Sequence, residues 1–117
     1  MKSSSTKKVL TVVFYQEASG REPVLSWLKE LPKKDRLCIG TDLQTLQYGW
    51  PIGMPLVRPL GKGLWEIRTN LDNRIARIIF IVEKDLIFVL HGFIKKTQKT
   101  PQQDLELALN RFKKLLR

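Results

Sequence analysis

The chain has 117 residues, 43% of them apolar, with three Trp and five Phe; it sets 21 Lys and Arg against 11 Asp and Glu, for a net charge of +10. That length holds one ordinary domain, and the apolar and aromatic content excludes a wholly disordered chain. The charge excludes an acidic surface and favours a polyanionic partner: nucleic acid, an anionic membrane or an acidic protein. The excess is uneven, with eight positive and five negative residues in 1–57 but thirteen and six in 58–117.

Residues 1–8, with two Lys after a run of Ser, read as a flexible tail ahead of a single domain spanning 9–117. The apolar run Val9–Tyr15 is too short for a signal-peptide core, and nothing approaches the ~20 apolar residues of a membrane span. A cytoplasmic protein without a membrane anchor is expected. Val9–Tyr15 itself, rich in Val, Phe and Tyr, reads as a strand. After Ser19-Gly20 the pattern turns helical. Val24, Leu25, Leu28 and Leu31 recur at helical spacing, Pro23 suits a first turn and Pro32 a stop. A second helix is expected from about Lys33 to Tyr48, with Leu37, Leu43 and Leu46 inward and Gly49 as its C-cap. Cys38, the only cysteine, lies in that helix and reads as core filler; no intrachain disulfide is possible.

Residues 49–63 hold four Gly and three Pro and read as a loop carrying Arg58 and Lys62. Three strands follow, Leu64–Asn70, Arg74–Val82 and Leu86–Phe93, with gaps short enough to force an antiparallel meander. The second and third are apolar on both faces and should be central and covered on both sides. A basic connector, Ile94–Thr100, leads to a helix in which Thr100 is a candidate cap, Pro101 the first position and Gln103 the end of a capping box. The order is strand, helix, helix, three strands, helix (β-α-α-β-β-β-α), an α+β layer of helices on a mostly antiparallel sheet.

Two arginines stand inside apolar strands. Arg68 shares a face with Leu64 and Glu66, and Arg77 lies between Ile75 and Ile79 on one face of the next strand. A guanidinium there needs an anionic partner or an opening onto a cleft. It is either half of an internal ion pair, most simply with Glu66 across the hairpin, or a rigidly held fork for phosphate. Lys95, Lys96 and Lys99, with Gln98 between, crowd a second positive site where the last strand ends; crowding moves a lysine toward general-base duty. His91 is the sole histidine and reads either as a hydrogen-bonded core residue or as an acid/base group. Trp65 and Phe93 read as core packing before base stacking. One His and one Cys far apart give no metal-ligand spacing, and no cofactor motif, phosphate loop or Ser-His-Asp pattern occurs.

RNA supplies its own nucleophile, the 2′-hydroxyl, so cleavage asks only for alignment, charge neutralisation and a proton shuttle. The residues fit a metal-independent endoribonuclease in which Arg68 and Arg77 stabilise the phosphorane. Lys95 or Lys96 would assist proton transfer or charge, Lys62 and Lys99 would hold flanking phosphates, and His91 would be a reserve acid/base.

Taken in order, Pro23–Leu28, Gly63–Arg68, Arg74 with Arg77, and Leu90–Pro101 resemble the RelE/ParE superfamily of bacterial toxins, more closely its phage-related HigB branch. The resemblance runs from about Val12 to Phe112. It implies a RelE-like fold with helices packed on one side of the sheet and a concave basic face on the other. It implies cleavage of mRNA, commonly in the ribosome, and neutralisation by a cognate antitoxin, whose gene would be a neighbouring helix-turn-helix frame. It implies phosphate contact at Arg68 and completion of the site by Lys95 and Lys96; Arg74 and Gln98 are read as further RNA-binding residues. Many relatives carry a tyrosine near the final helix; here the tyrosines are Tyr15 and Tyr48. Two other functions stay open, gyrase inhibition by a non-enzymatic toxin and nucleic-acid binding without catalysis.

Overall fold

A computed structural model of the chain describes residues 9–95 and 100–116, without the side chain of Lys95. Eight elements follow one another: β1 (Thr11–Phe14), α1 (Pro23–Glu30), α2 (Lys33–Gly49), β2 (Val57–Gly61), β3 (Leu64–Leu71), β4 (Arg74–Glu83), β5 (Leu86–Lys95) and α3 (Gln102–Leu115). The strands form one mixed sheet in the order β1-β5-β4-β3-β2, with β1 parallel to β5 and the other pairs antiparallel. The α+β class and the antiparallel meander agree with expectation. The fourth strand of the meander, β2, is an addition: residues 57–61 are not loop. Pro59 lacks an N–H, but β2 is an edge strand, where a ladder donor can be missing on the outer side.

Sequence periodicity explains the two cores. In β4 alternate residues diverge: Ala76, Ile78 and Phe80 face one core, and Ile79 and Ile81 the other. The first core takes Val24 from α1 and Ile39, Leu43 and Leu46 from α2. The second takes Ala108 from α3, flanked by Leu105, Leu109 and Phe112. The helices therefore cover both faces, not one as the resemblance implied. α3 packs over Leu64, Ile79 and Leu90, and shares its face with the strand arginines described below.

Helix ends are partly as read. Pro23 opens α1, and extended Leu31 and Pro32 separate it from α2. The inner stripe of α2 is Asp35, Ile39, Leu43 and Leu46. Leu37 falls two residues from Asp35 and Ile39, about 200° around the helix, and is exposed. Gly49 ends α2 as a helical residue, and Trp50 follows in extended geometry, so no glycine C-cap forms. The Trp50 ring packs edge-on against Trp65 at 5.1 Å and Phe80 at 5.8 Å. The β2–β3 turn has positive φ at Gly61, Lys62 and Gly63, as a tight hairpin requires.

α1 docks closely on β5 at Gly92, where an added Cβ would stand 2.6 Å from Trp27 Cζ3. An indole ring in a packed interface has little room to retreat. Gly92→Ala should lower the thermal midpoint, costing about 1–3 kcal/mol, and Trp27→Leu in the same chain should recover part of it. An unchanged midpoint for Gly92→Ala would contradict this packing.

Candidate functional site

Strand register builds the site. Residues directly opposite in neighbouring strands point to the same face. On the face shared with α3, one row across the sheet is Arg58, Glu66, Ile79 and His91. The next is Arg68, Arg77 and Phe93, and the one beyond is Asn70, Ile75 and Lys95. Three arginines from three adjacent strands thus surround one carboxylate.

Glu66 is completely buried. One carboxylate oxygen accepts from Arg58 Nη2 at 3.2 Å and the other from Thr100 Oγ1 at 2.6 Å. Arg58 Nη2 also donates to Thr100 Oγ1 at 3.1 Å. Glu66 forms an ion pair with Arg58 of β2, a residue that reads as loop in the sequence, and its charge also acts on Arg77 across the hairpin. Thr100 turns its hydroxyl to that carboxylate, so it does not cap α3. The cap position is Pro101, with no side-chain cap bond and no capping box.

Arg77 is also completely buried, on β4 at the centre of the sheet. Burial lowers its pKa from the ordinary arginine value; Glu66 opposes the shift, and Arg68 and Arg58 reinforce it. The guanidinium still keeps its charge, being too basic to lose it near neutrality. Full burial prevents Arg77 from touching a ligand directly. Arg68, its cross-strand partner, is half-buried and lines an open cleft.

The other residues singled out above lie around this cluster or away from it. His91 sits one row from the arginines, its Nε2 2.7 Å from Asp104 Oδ1 of α3 and its ring stacked on Phe93. Burial lowers its pKa more than Asp104 raises it. Arg74 donates through Nη2 to the buried Asp35 at 2.8 Å and through Nε to the Asp72 carbonyl, tying the β3–β4 turn to α2. Lys62 is exposed in the β2–β3 turn, six residues and roughly 20 Å along the strand from Arg68. Lys95 ends β5 opposite Ile75; its side chain, with Lys96, Gln98 and Lys99, lies outside the described residues. Trp65 packs with the first core and Phe93 is buried in the second. Cys38 is a half-buried free thiol. Among the described residues no three His, Cys, Asp or Glu side chains gather as a metal site, and no helix is long and apolar enough to cross a membrane.

Arg58 and Thr100 are the members of the cluster missed from sequence. Pro59 and the flanking glycines hid the strand that carries Arg58. Thr100 had a local explanation as a cap, and only tertiary structure brings it to Glu66.

A family model described as phage derived protein Gp49-like (DUF891) matches residues 26–113. The match spans α2, the whole β2–β5 meander and most of α3. No curated protein matches the chain.

The His91 environment gives a pH prediction. Its folded pKa lies below 6.5, so between the two values the unfolded chain binds the extra proton. Its contribution to stability is therefore complete above pH 6.5 and is lost as pH falls below it. The thermal midpoint should fall on acidification from pH 7 toward the folded pKa, more steeply in the parent than in His91→Gln. Equal slopes, or a midpoint that rises, would contradict the assignment.

Proposed function

Because the chain belongs to the phage-derived Gp49-like family, part of the RelE/ParE-like toxin superfamily, we propose that it is a metal-independent endoribonuclease of the HigB-like branch. Membership points to a toxin module that works with an antitoxin partner. The substrate in this reading is mRNA, met in the ribosome, and the antitoxin is a helix-turn-helix protein.

The observation that carries the reading is the three-arginine face. Arg58, Arg68 and Arg77 share a single buried carboxylate, Glu66, and so keep a net positive charge on three rigid strands. Preorganised charge of this kind stabilises a transition state without reorganisation. The 2′-oxygen attacks the adjacent phosphorus, the P–O5′ bond breaks, and a 2′,3′-cyclic phosphate and a 5′-hydroxyl result. Arg68 bonds the non-bridging oxygens as their charge grows. Arg77 lies beside it on β4, fully buried, and adds a fixed positive potential, so it is a positioning residue and not a contact. Lys95 or Lys96 takes the 2′-proton or returns one to the leaving oxygen. His91, engaged by Asp104, remains the reserve for that step. Gln98 and Lys99 hold neighbouring phosphates, with Lys62 reserved for a distant part of the strand. We assign Arg74 to the Asp35 pair and not to RNA.

Purified protein should cut single-stranded RNA in EDTA and leave cyclic or 3′-phosphate ends. Arg68→Ala should reduce the rate ~10²–10³-fold with its thermal midpoint retained, and Arg68→Lys should rescue poorly, because an ammonium lacks the planar fork. A destabilised Arg68→Ala with normal specific activity would sink the catalytic role. Intact RNA together with blocked DNA supercoiling would move the function to gyrase inhibition.

A further inference from the structure

Arg68 is also a wall of a second feature, an open cleft of about 680 Å³. β2 begins at Val57, opposite Ile67, and the Arg68 N–H donates to the Leu56 carbonyl at 2.9 Å just before it, so β2 itself does not cover the outer side of β3 beyond Arg68. The space there is bounded by Pro55 and Leu56 before β2, by Thr69 and Asn70 of β3, and by Ile75 of β4. α2 closes it with Cys38, Thr41 and Asp42. The lining therefore combines apolar surface from Pro55, Leu56 and Ile75 with hydrogen-bonding groups from Thr41, Asp42 and Asn70. A concave, partly apolar lining with a few convergent polar groups is the usual character of a small-ligand site, and an unstacked base read through its hydrogen-bonding edge is one such ligand.

We propose that this cleft is a nucleobase subsite selective for guanine, taking the base of a nucleotide whose phosphate meets Arg68. The inference rests on the RNA-binding reading above and adds a specificity to it. Asp42 decides the base. It is half-buried on α2 and makes no hydrogen bond or ion pair among the described residues. An ionised carboxylate accepts hydrogen bonds and donates none. In a cleft that binds RNA it would repel phosphate, so it must face a donor edge of a base. Guanine presents two adjacent donors, N1–H and the N2 amino group, which match one carboxylate as a fork. Adenine and cytosine set one amino group beside a ring acceptor, and uracil sets its N–H between two carbonyls. Each of those would put an acceptor against Asp42. A protein guanidinium would also suit Asp42, but Arg68 in the same lining repels it while attracting a nucleotide phosphate.

The test uses uncleavable 2′-O-methyl pentanucleotides, UUGUU, UUAUU, UUCUU and UUUUU, titrated against the intact chain by fluorescence anisotropy. UUGUU should bind about tenfold tighter than the other three, the discrimination expected of one bidentate base contact. Asp42→Asn should erase the preference and leave the affinity for UUUUU no weaker. Arg68→Ala should weaken all four alike. A parent protein without base preference overturns the proposal, as does a preference that survives Asp42→Asn. Asp42-dependent binding of an arginine peptide without guanine preference likewise overturns it, in favour of a protein partner. Because the probes cannot be cut, guanine preference without cleavage of ordinary RNA would retain the subsite and reject the nuclease. Cleavage without preference would do the reverse.

Discussion

The site depends on the burial of one carboxylate. An ionised Glu66 with no exposed surface is costly unless its oxygens are hydrogen-bonded and its charge is matched. Arg58 and Thr100 meet the first need, and the three surrounding arginines more than meet the second. The dependence is mutual. Three guanidiniums on adjacent strands repel one another, and Arg77 has no water to screen it. Glu66 makes their closeness tolerable without cancelling it. One carboxylate among three arginines leaves the cluster positive, which an anion-binding face requires.

That interaction also ties together distant parts of the chain. Glu66 is on β3, Arg58 on β2, Arg77 on β4, and Thr100 at the entry to α3. Two further contacts fix the frame around it. Arg74 with Asp35 holds the β3–β4 turn to α2, and His91 with Asp104 holds β5 to α3. Charges set on packed strands keep their geometry better than charges on loops, which suits transition-state stabilisation. The frame makes Arg68, half-buried beside wholly buried Arg77, the cluster member we assign to the phosphate.

Much of the fold was legible because hydrophobic periodicity was strong. β3, β4 and β5 and all three helices stand within a few residues of where alternation, helical spacing and proline stops put them. The failures have local causes. Pro59, Gly61 and Gly63 disguised an edge strand as loop, since an edge strand does not need every ladder bond. Leu37 reads as internal because it is leucine, but α2 is phased on Asp35 and Ile39, which leaves Leu37 on the exposed side. Thr100 was assigned by short-range capping logic, while a buried carboxylate far away in sequence took its hydroxyl. At the site, the anomaly of an arginine among isoleucines was visible in the sequence. Its complete burial, and the separation of Lys62 from the cluster, required register and tertiary packing.

In the function proposed, this face grips an RNA backbone through net positive charge, with Arg68 as the contact. Counterion release measures that directly. An uncleavable single-stranded RNA should bind with an affinity that falls steeply with salt, and each phosphate contact removed should reduce the slope of log K against log [salt] by about 0.7. Arg68→Ala should lower the slope by that amount, with the change uniform across RNA sequences. A slope identical to the parent's, or binding insensitive to salt, would contradict a phosphate contact at Arg68.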